Sequence, residues 1–270
     1  MTKSIETIIK ERKSVRTFDE KPLTSDDLNA INGYIQSLTN PFGVNVELKI
    51  LNAKEYGLSS PVIVGASDYL AGKVKRVDNY EMAFGYVFEK VCLYAFSLGV
   101  GTVMLAASLS RTAFERAMDV QNDEVLPVAS PLGYPAEKKS IRENLMRKAL
   151  KADERKPFES LFFDKSFSTP LTKDNAGDYL EPLEMVRLAP SATNAQPWRV
   201  VVDGDKVHFY LAKSMKDSPL GDIQKLDIGI ALSHFELSAK ERGIDGVFVF
   251  ADPKLDCPDK TIYMVTFVKS

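Results

Sequence analysis

Cysteine and histidine are scarce in this chain, with Cys92, Cys257, His208 and His234 accounting for all of them in 270 residues. Two cysteines without a CxxC spacing exclude a disulfide framework and a cysteine-based zinc motif. So sparing a use of cysteine leans towards a reducing compartment, and a cytoplasmic location is expected. His208 falls in a strand pattern and His234 in a helical one, far apart in sequence. His234 reads as a surface or packed helix residue rather than a catalytic base. No G-x-S-x-G elbow and no P-loop occur. Gly99-Val100-Gly101 lacks a third glycine in register and closes a helix instead of opening one, which argues against a Rossmann turn. A formal net charge of −2 lacks the one-sided excess that a nucleic-acid or acidic-membrane partner favours. The opening residues, MTKSIETIIKERK, contain no apolar core followed by a cleavage site, so no signal peptide is expected.

Long apolar runs are also rare. Met82 to Gly101 is the main one, nearly long enough to span a bilayer. Glu89 and Lys90 sit in its middle, where hydrocarbon would penalise both. A run apolar on almost every face is better read as the buried central helix of a globular core. A hydrophobic content of 44% and a charged content of 27% fit such a soluble protein.

What the chain does contain is self-similarity. Pro22-Leu23-Thr24 recurs 148 residues later as Pro170-Leu171-Thr172, with Phe18 and Phe167 shortly before each. Gly85 and Gly99 recur 144 residues later as Gly229 and Gly243. The strand-like runs match in order: ELKIL (47–51) with WRVVV (198–202), SPVIVGA (60–66) with KVHFYLA (206–212), LPVAS (126–130) with IYMVTFV (262–268). These matches predict two related α+β halves, 1–137 and 166–270. Residues 138–165 would connect them. Lys138 to Lys156 carries eight basic and three acidic residues among helix formers, which reads as a solvated connecting helix, followed by an ordered segment.

Two segments carry the functional signal. Glu11 to Phe18, ERKSVRTF, follows an amphipathic helix with Ile5, Ile8 and Ile9 on one face. It gathers Arg12, Lys13, Ser14 and Arg16. Arginine can grip a phosphate with a bidentate fork, and serine can bond a phosphate or hydroxyl. Taken alone, the cluster also fits a helix C-terminus whose cations complement the dipole. Leu188 to Trp198, LAPSATNAQPW, is more specific. Pro190 stops a helix, and Ser191, Thr193 and Asn194 are turn formers. Acidic pairs such as Asp26-Asp27 read as helix N-terminal acids behind Thr24 or Ser25.

Together these segments resemble the paired flavin-contacting motifs of the nitroreductase family, the FMN-dependent two-electron reductases. PLGYPAE (131–137) resembles the element that closes such a domain. In ordinary members the second motif follows the first by a few tens of residues, whereas here Ser14 and Ser191 are 177 positions apart. The first half reads IQSLTNPFGVN (35–45) where its own second motif belongs. The second half reads DKSFST (164–169) where its first motif belongs.

Ordinary members are homodimers with FMN at the interface, each subunit supplying one motif. The resemblance therefore implies a nitroreductase-like fold in which one chain plays both subunits, a monomeric pseudo-dimer with a single composite FMN site. By the same resemblance Arg12, Lys13, Ser14 and Arg16 hold one end of the flavin. Pro190, Ser191 and Ala192 line its ring, and Asn194 and Gln196 hold the loop or the flavin edge. Ala106, Ala107 and Ser108 pass beside N5, where other members often carry a glutamate-glycine pair. Arg155, with Lys156 in reserve, reaches the phosphate, although a solvated basic linker fits that segment equally well.

The activity so implied is reduction of an electron-poor acceptor, a nitroaromatic or quinone, with NADH or NADPH as donor. The flavin performs the chemistry and no catalytic side chain is required. Two alternatives are a flavin-binding or storage protein without turnover, and a decayed pocket that binds no flavin.

Overall fold

The computed structural model describes residues 3–137 and 154–270. Residues 138–153, which hold most of the expected basic connecting helix, lie outside the described residues.

Helix α1 (Ile5–Glu11) starts where the Ser4 side chain accepts from the Thr7 N–H, and it buries Ile8 and Ile9. Helix α2 (Ser25–Ser37) is capped by Thr24 with Asp26 and Asp27 in its first turn, as its sequence suggests. The antiparallel pair β1 (Val46–Asn52) and β2 (Asp68–Lys75) follows, joined through the short helix α3 (Ala53–Tyr56). The expected strand at 60–66 is displaced to β2. Pro61 brings no N–H, and Gly65 turns the chain at φ +80°. Seven of the eight β2 residues are buried, so its sequence shows no alternation to read. The expected strand at 126–130 is split into β3 (Glu124–Val125) and β4 (Ala129–Leu132), both antiparallel to β2. The interruption falls at Pro127.

Between β2 and β3 run α4 (Tyr80–Ser97) and α5 (Arg111–Ala117). The second sheet has the order β5-β6-β7-β9-β8. Its strands are β5 (Phe162–Asp164), β6 (Trp198–Asp203), β7 (Lys206–Ala212), β8 (Gly246–Val249) and β9 (Thr261–Lys269). Only β5 runs parallel to its neighbour. Helices α6 (Leu180–Leu188) and α7 (Ile223–Glu241) belong to this part of the chain. The second PLT opens into two 3-10 turns before α6, not directly into an α-helix like the first.

The two sheets share one path. Each has an antiparallel hairpin, then the strand that comes last, then the stretch that follows the long helix. In the second sheet that stretch is β8. In the first it is residues 101–105, bridged to the strand region at Gly101–Gly133 and Leu105–Ala129.

Helices α4 and α7 pack together at the centre. A Cβ on Gly85 would lie 2.1 Å from the Leu226 carbonyl oxygen, and one on Gly229 would lie 2.1 Å from that of Met82. The backbones touch at these two points, which is why neither position carries a side chain. Helix α4 is buried on nearly all faces, as its composition predicts. Its charges survive burial by pairing: Glu89 faces His234 at 2.9 Å, and Lys90 faces Glu236 at 2.7 Å. His234 is thus a packed residue. Among the described residues no helix is long and apolar enough to cross a membrane.

Candidate functional site

A cavity of about 370 Å³ opens between the end of α1, the loop after α6, and the paired helices α4 and α7. That size falls in the range of about 300–1,000 Å³ typical of cofactor and ligand sites. Arg12, Lys13, Ser14 and Arg16 form one wall, and Pro190 to Asn194 form another. The two segments, so distant in sequence, meet across a single space.

The first wall is fixed by its backbone. Arg12 caps α1 through a bond from its N–H to the Ile8 carbonyl. The Val15 N–H then donates to Thr102 O at 2.9 Å, and the Arg16 carbonyl accepts from the Val64 N–H at 2.9 Å. Pinned on both sides, residues 12–16 project several cations into the cavity. Arg12 Nε is buried without a hydrogen-bond partner among the described residues and lies 3.7 Å from Glu89 Oε1.

The second wall is a strained loop held from outside. Thr193, Asn194 and Gln196 all adopt left-handed backbone angles, with φ of 52°, 58° and 48°. Non-glycine residues in that region cost on the order of 1–3 kcal/mol each and persist only where the surroundings impose the conformation. Here they do. The Gln196 N–H donates to Ser191 Oγ at 2.9 Å, and the Lys156 N–H donates to Gln196 Oε1 at 2.8 Å. Lys156 Nζ donates to Ala195 O at 2.7 Å, and Asn194 Nδ2 donates to Glu154 O at 3.0 Å. Arg155 reaches Leu188 O at 3.2 Å and Asn194 Oδ1 at 3.4 Å. The Ala192 N–H donates to the Asp227 carboxyl at 3.0 and 3.1 Å.

Burial lowers the Lys156 ammonium, with Arg199 adding to the shift. It raises the Cys92 thiol, with Glu89 adding and Arg12 opposing. It raises the Asp227 carboxyl well above its ordinary value, with the Ala192 N–H opposing and Asp222 adding.

Most of the residues expected from sequence line this cavity. Arg12, Lys13, Ser14, Arg16, Ala106, Arg155, Pro190, Ser191, Ala192 and Asn194 do so. Gln196 is buried beneath the loop and braces it. Ala107 and Ser108 stand outside the lining, and Ala107 is exposed. Lys156 tethers the loop instead of facing the cavity. Sequence reasoning missed Glu89 and Asp227, both in the lining. Glu89 reads only as a charge beside Lys90 in an apolar run, and Asp227 stands between apolar neighbours in LDIGI, which is a weak signal of a buried acid.

Chemically, the cavity joins an anion-binding end to a floor of apolar side chains. Lys10, Arg12, Lys13, Arg16 and Arg155 face it against the two carboxyls. Ile9, Val103, Leu226 and Ile230 supply the apolar surface. Among the described residues no cluster of His, Cys, Asp and Glu could hold a metal ion.

The family model described as "Putative TM nitroreductase" matches residues 4–239, most of the chain. The chain belongs to the TM nitroreductase family. A similar fold is that of a putative nitroreductase from Thermotoga maritima, 21% identical, covering 99% of this chain and 94% of that one with a TM-score of 0.63. The chain thus has a nitroreductase-like α+β fold. A nitroreductase with bound FMN from Bacteroides fragilis is 19% identical and covers 52% of this chain and 92% of its own, TM-score 0.42. An FMN-dependent nitroreductase from Clostridium difficile is 14% identical and covers 52% and 94%, TM-score 0.42. No curated protein matches the sequence.

Proposed function

We propose that this protein is an FMN-dependent oxidoreductase with one composite flavin site per chain. The observation that carries the reading is the meeting of Arg12–Arg16 with Pro190–Asn194 around one cavity. The donor set suits FMN. Arginine forks and the Ser14 hydroxyl match a phosphate and ribityl hydroxyls, while the apolar floor matches a planar ring.

When bound, FMN supplies hydride chemistry between a reduced nicotinamide and an electron-poor acceptor such as a nitroaromatic or quinone. The chain's own part is to bind and orient. Arg12, Lys13 and Arg16 neutralise the anionic end. Loop 190–194 bounds the ring face. Ala106 keeps that approach open because its side chain is small. Val103, Leu226 and Ile230 exclude water from the floor, which strengthens each polar contact inside. The two sheets, with their shared strand path and glycine-notched helices, are read as the two halves of a duplicated ancestor, standing where two subunits would.

The purified protein should be yellow and hold about one FMN per chain. It should oxidise NADH or NADPH faster with a nitroaromatic or quinone present than free FMN does. A colourless protein that takes up no FMN on titration refutes the cofactor. Two FMN per chain refutes the composite site. Bound FMN with no turnover supports a flavin-storage role instead.

A further inference from the structure

Asp227 is a buried acid in the cavity with no paired cation among the described residues. It is 2% exposed and sits on α7 between buried Leu226 and Ile228. Its carboxyl meets one donor among the described residues, the Ala192 N–H, shared between Oδ1 at 3.0 Å and Oδ2 at 3.1 Å. No lysine or arginine among the described residues is within ion-pair distance of it. Glu89, the other cavity acid, differs: it faces both His234 and Arg12.

An ionised carboxylate presents about four lone-pair sites, and a buried charge without a counter-ion is costly. One shared N–H does not meet that demand. The neutral acid does fit the burial, and the neighbouring Asp222 carboxylate favours it further. A neutral acid, however, carries an O–H that itself needs an acceptor. Ala192 offers only a donor, and the carboxyl lines the cavity, where a bound ligand can supply the acceptor.

We propose that Asp227 donates a hydrogen bond from a protonated carboxyl to the ligand bound in this cavity. On the FMN reading, on which this inference rests, the acceptor is a carbonyl oxygen or ring nitrogen of the isoalloxazine. Ala192, which Asp227 holds, belongs to the loop assigned to the ring. Asp227 thereby accepts from the loop at Ala192 and donates to the ligand. The charged groups around it are few. Asp222 caps α7 and is held by Lys213 at 2.8 Å, and Glu81 of α4 accepts from the Asp222 N–H. Across the cavity stand Glu89, Lys10, Arg12, Lys13, Arg16 and Arg155.

Infrared difference spectroscopy on FMN addition tests this without any turnover. At pH 7 the wild type should show a protonated-carboxyl C=O stretch that shifts as FMN saturates the protein. That band should be absent in Asp227→Asn, and Asp227→Glu should keep a displaced one. Because a protonated Asp227 is required, wild-type FMN binding should weaken once pH rises far enough to ionise Asp227 in the free protein, by up to about tenfold per further pH unit. Asp227→Asn, which still accepts from Ala192 through its amide oxygen, lacks that loss. A wild type with no acid band at pH 7, or with a band that FMN leaves unmoved, overturns the role of Asp227 while the FMN reading stands. Absence of saturable FMN binding in the wild type overturns both.

Discussion

The loops at 38–45 and 189–197 occupy the same place, each leading from a helix to the first strand of a hairpin. They have opposite fates. In the first, Asn40 closes the turn on itself: its Nδ2 donates to Val44 O at 2.7 Å, and its Oδ1 accepts from Phe42 N at 3.1 Å and Val44 N at 3.4 Å. Phe42 then packs edge-on against Tyr86, 6.1 Å between centroids, and Tyr86 packs against Phe248. Lys90 completes the plug, with its ammonium 4.1 Å from the Tyr86 ring centroid and 2.7 Å from Glu236. In the second loop the strained backbone is braced by Arg155, Lys156, Gln196 and Asp227, and its inner side faces a cavity. A helix–loop–strand connection becomes a ligand wall when its polar groups are satisfied from behind. When they are satisfied internally, apolar side chains fill the space.

The largest effect should come from the central helices α4 and α7, against which the two loops pack through Phe42–Tyr86 and Ala192–Asp227. Gly229→Val places atoms against the Met82 backbone, which cannot yield as a side-chain tip would. A loss on the order of 3 kcal/mol or more is expected, read from urea unfolding, and it should damage both loops alike. Arg16→Ala should act on the cavity side alone, weakening FMN binding about 10- to 150-fold, the worth of a charged hydrogen bond of about 1.5–3 kcal/mol. Asn40→Ala should reverse the pattern. It should cost about 1–2 kcal/mol of stability for the lost turn bonds and leave FMN affinity, measured by fluorescence titration, unchanged. An affinity loss there would mean that the first loop is not closed off. Ser191→Ala should give the smallest change, a two- to tenfold weaker FMN affinity for about 0.5–1.5 kcal/mol. No change at Ser191 would place the ligand away from the second loop and break the comparison.

Much of this was legible in the sequence, for physical reasons that differ by element. Helix α4 could be read from its unbroken apolar run, and α2 from Thr24 and its acids, because both signals are local. The meeting of Ser14 with Ser191 could be inferred only through the family resemblance taken together with the repeat, since no local pattern links residues so far apart. Strand β2 escaped because burial on both faces removes alternation, and SPVIVGA imitated a strand while Pro61 and Gly65 turned it into a loop. Asp227 escaped because its significance lies in what surrounds it: it looks like any helix acid until its burial, with no lysine or arginine paired to it among the described residues, is seen. Ala107 and Ser108 were assigned by position along a motif, and the chain turns outward one residue earlier, where Arg111 holds Ala106 O at 2.6 Å.

The glycine notch between α4 and α7 bears on how this chain can be divided. Each helix presents a bare strip of backbone that only the other covers, and α1 is clamped to the far end of α7 through Glu6 and Arg242. Fragments 1–137 and 154–270 would each be left with an unroofed helix. They should therefore behave as complementary pieces, unfolded when made apart and assembling one to one when made together.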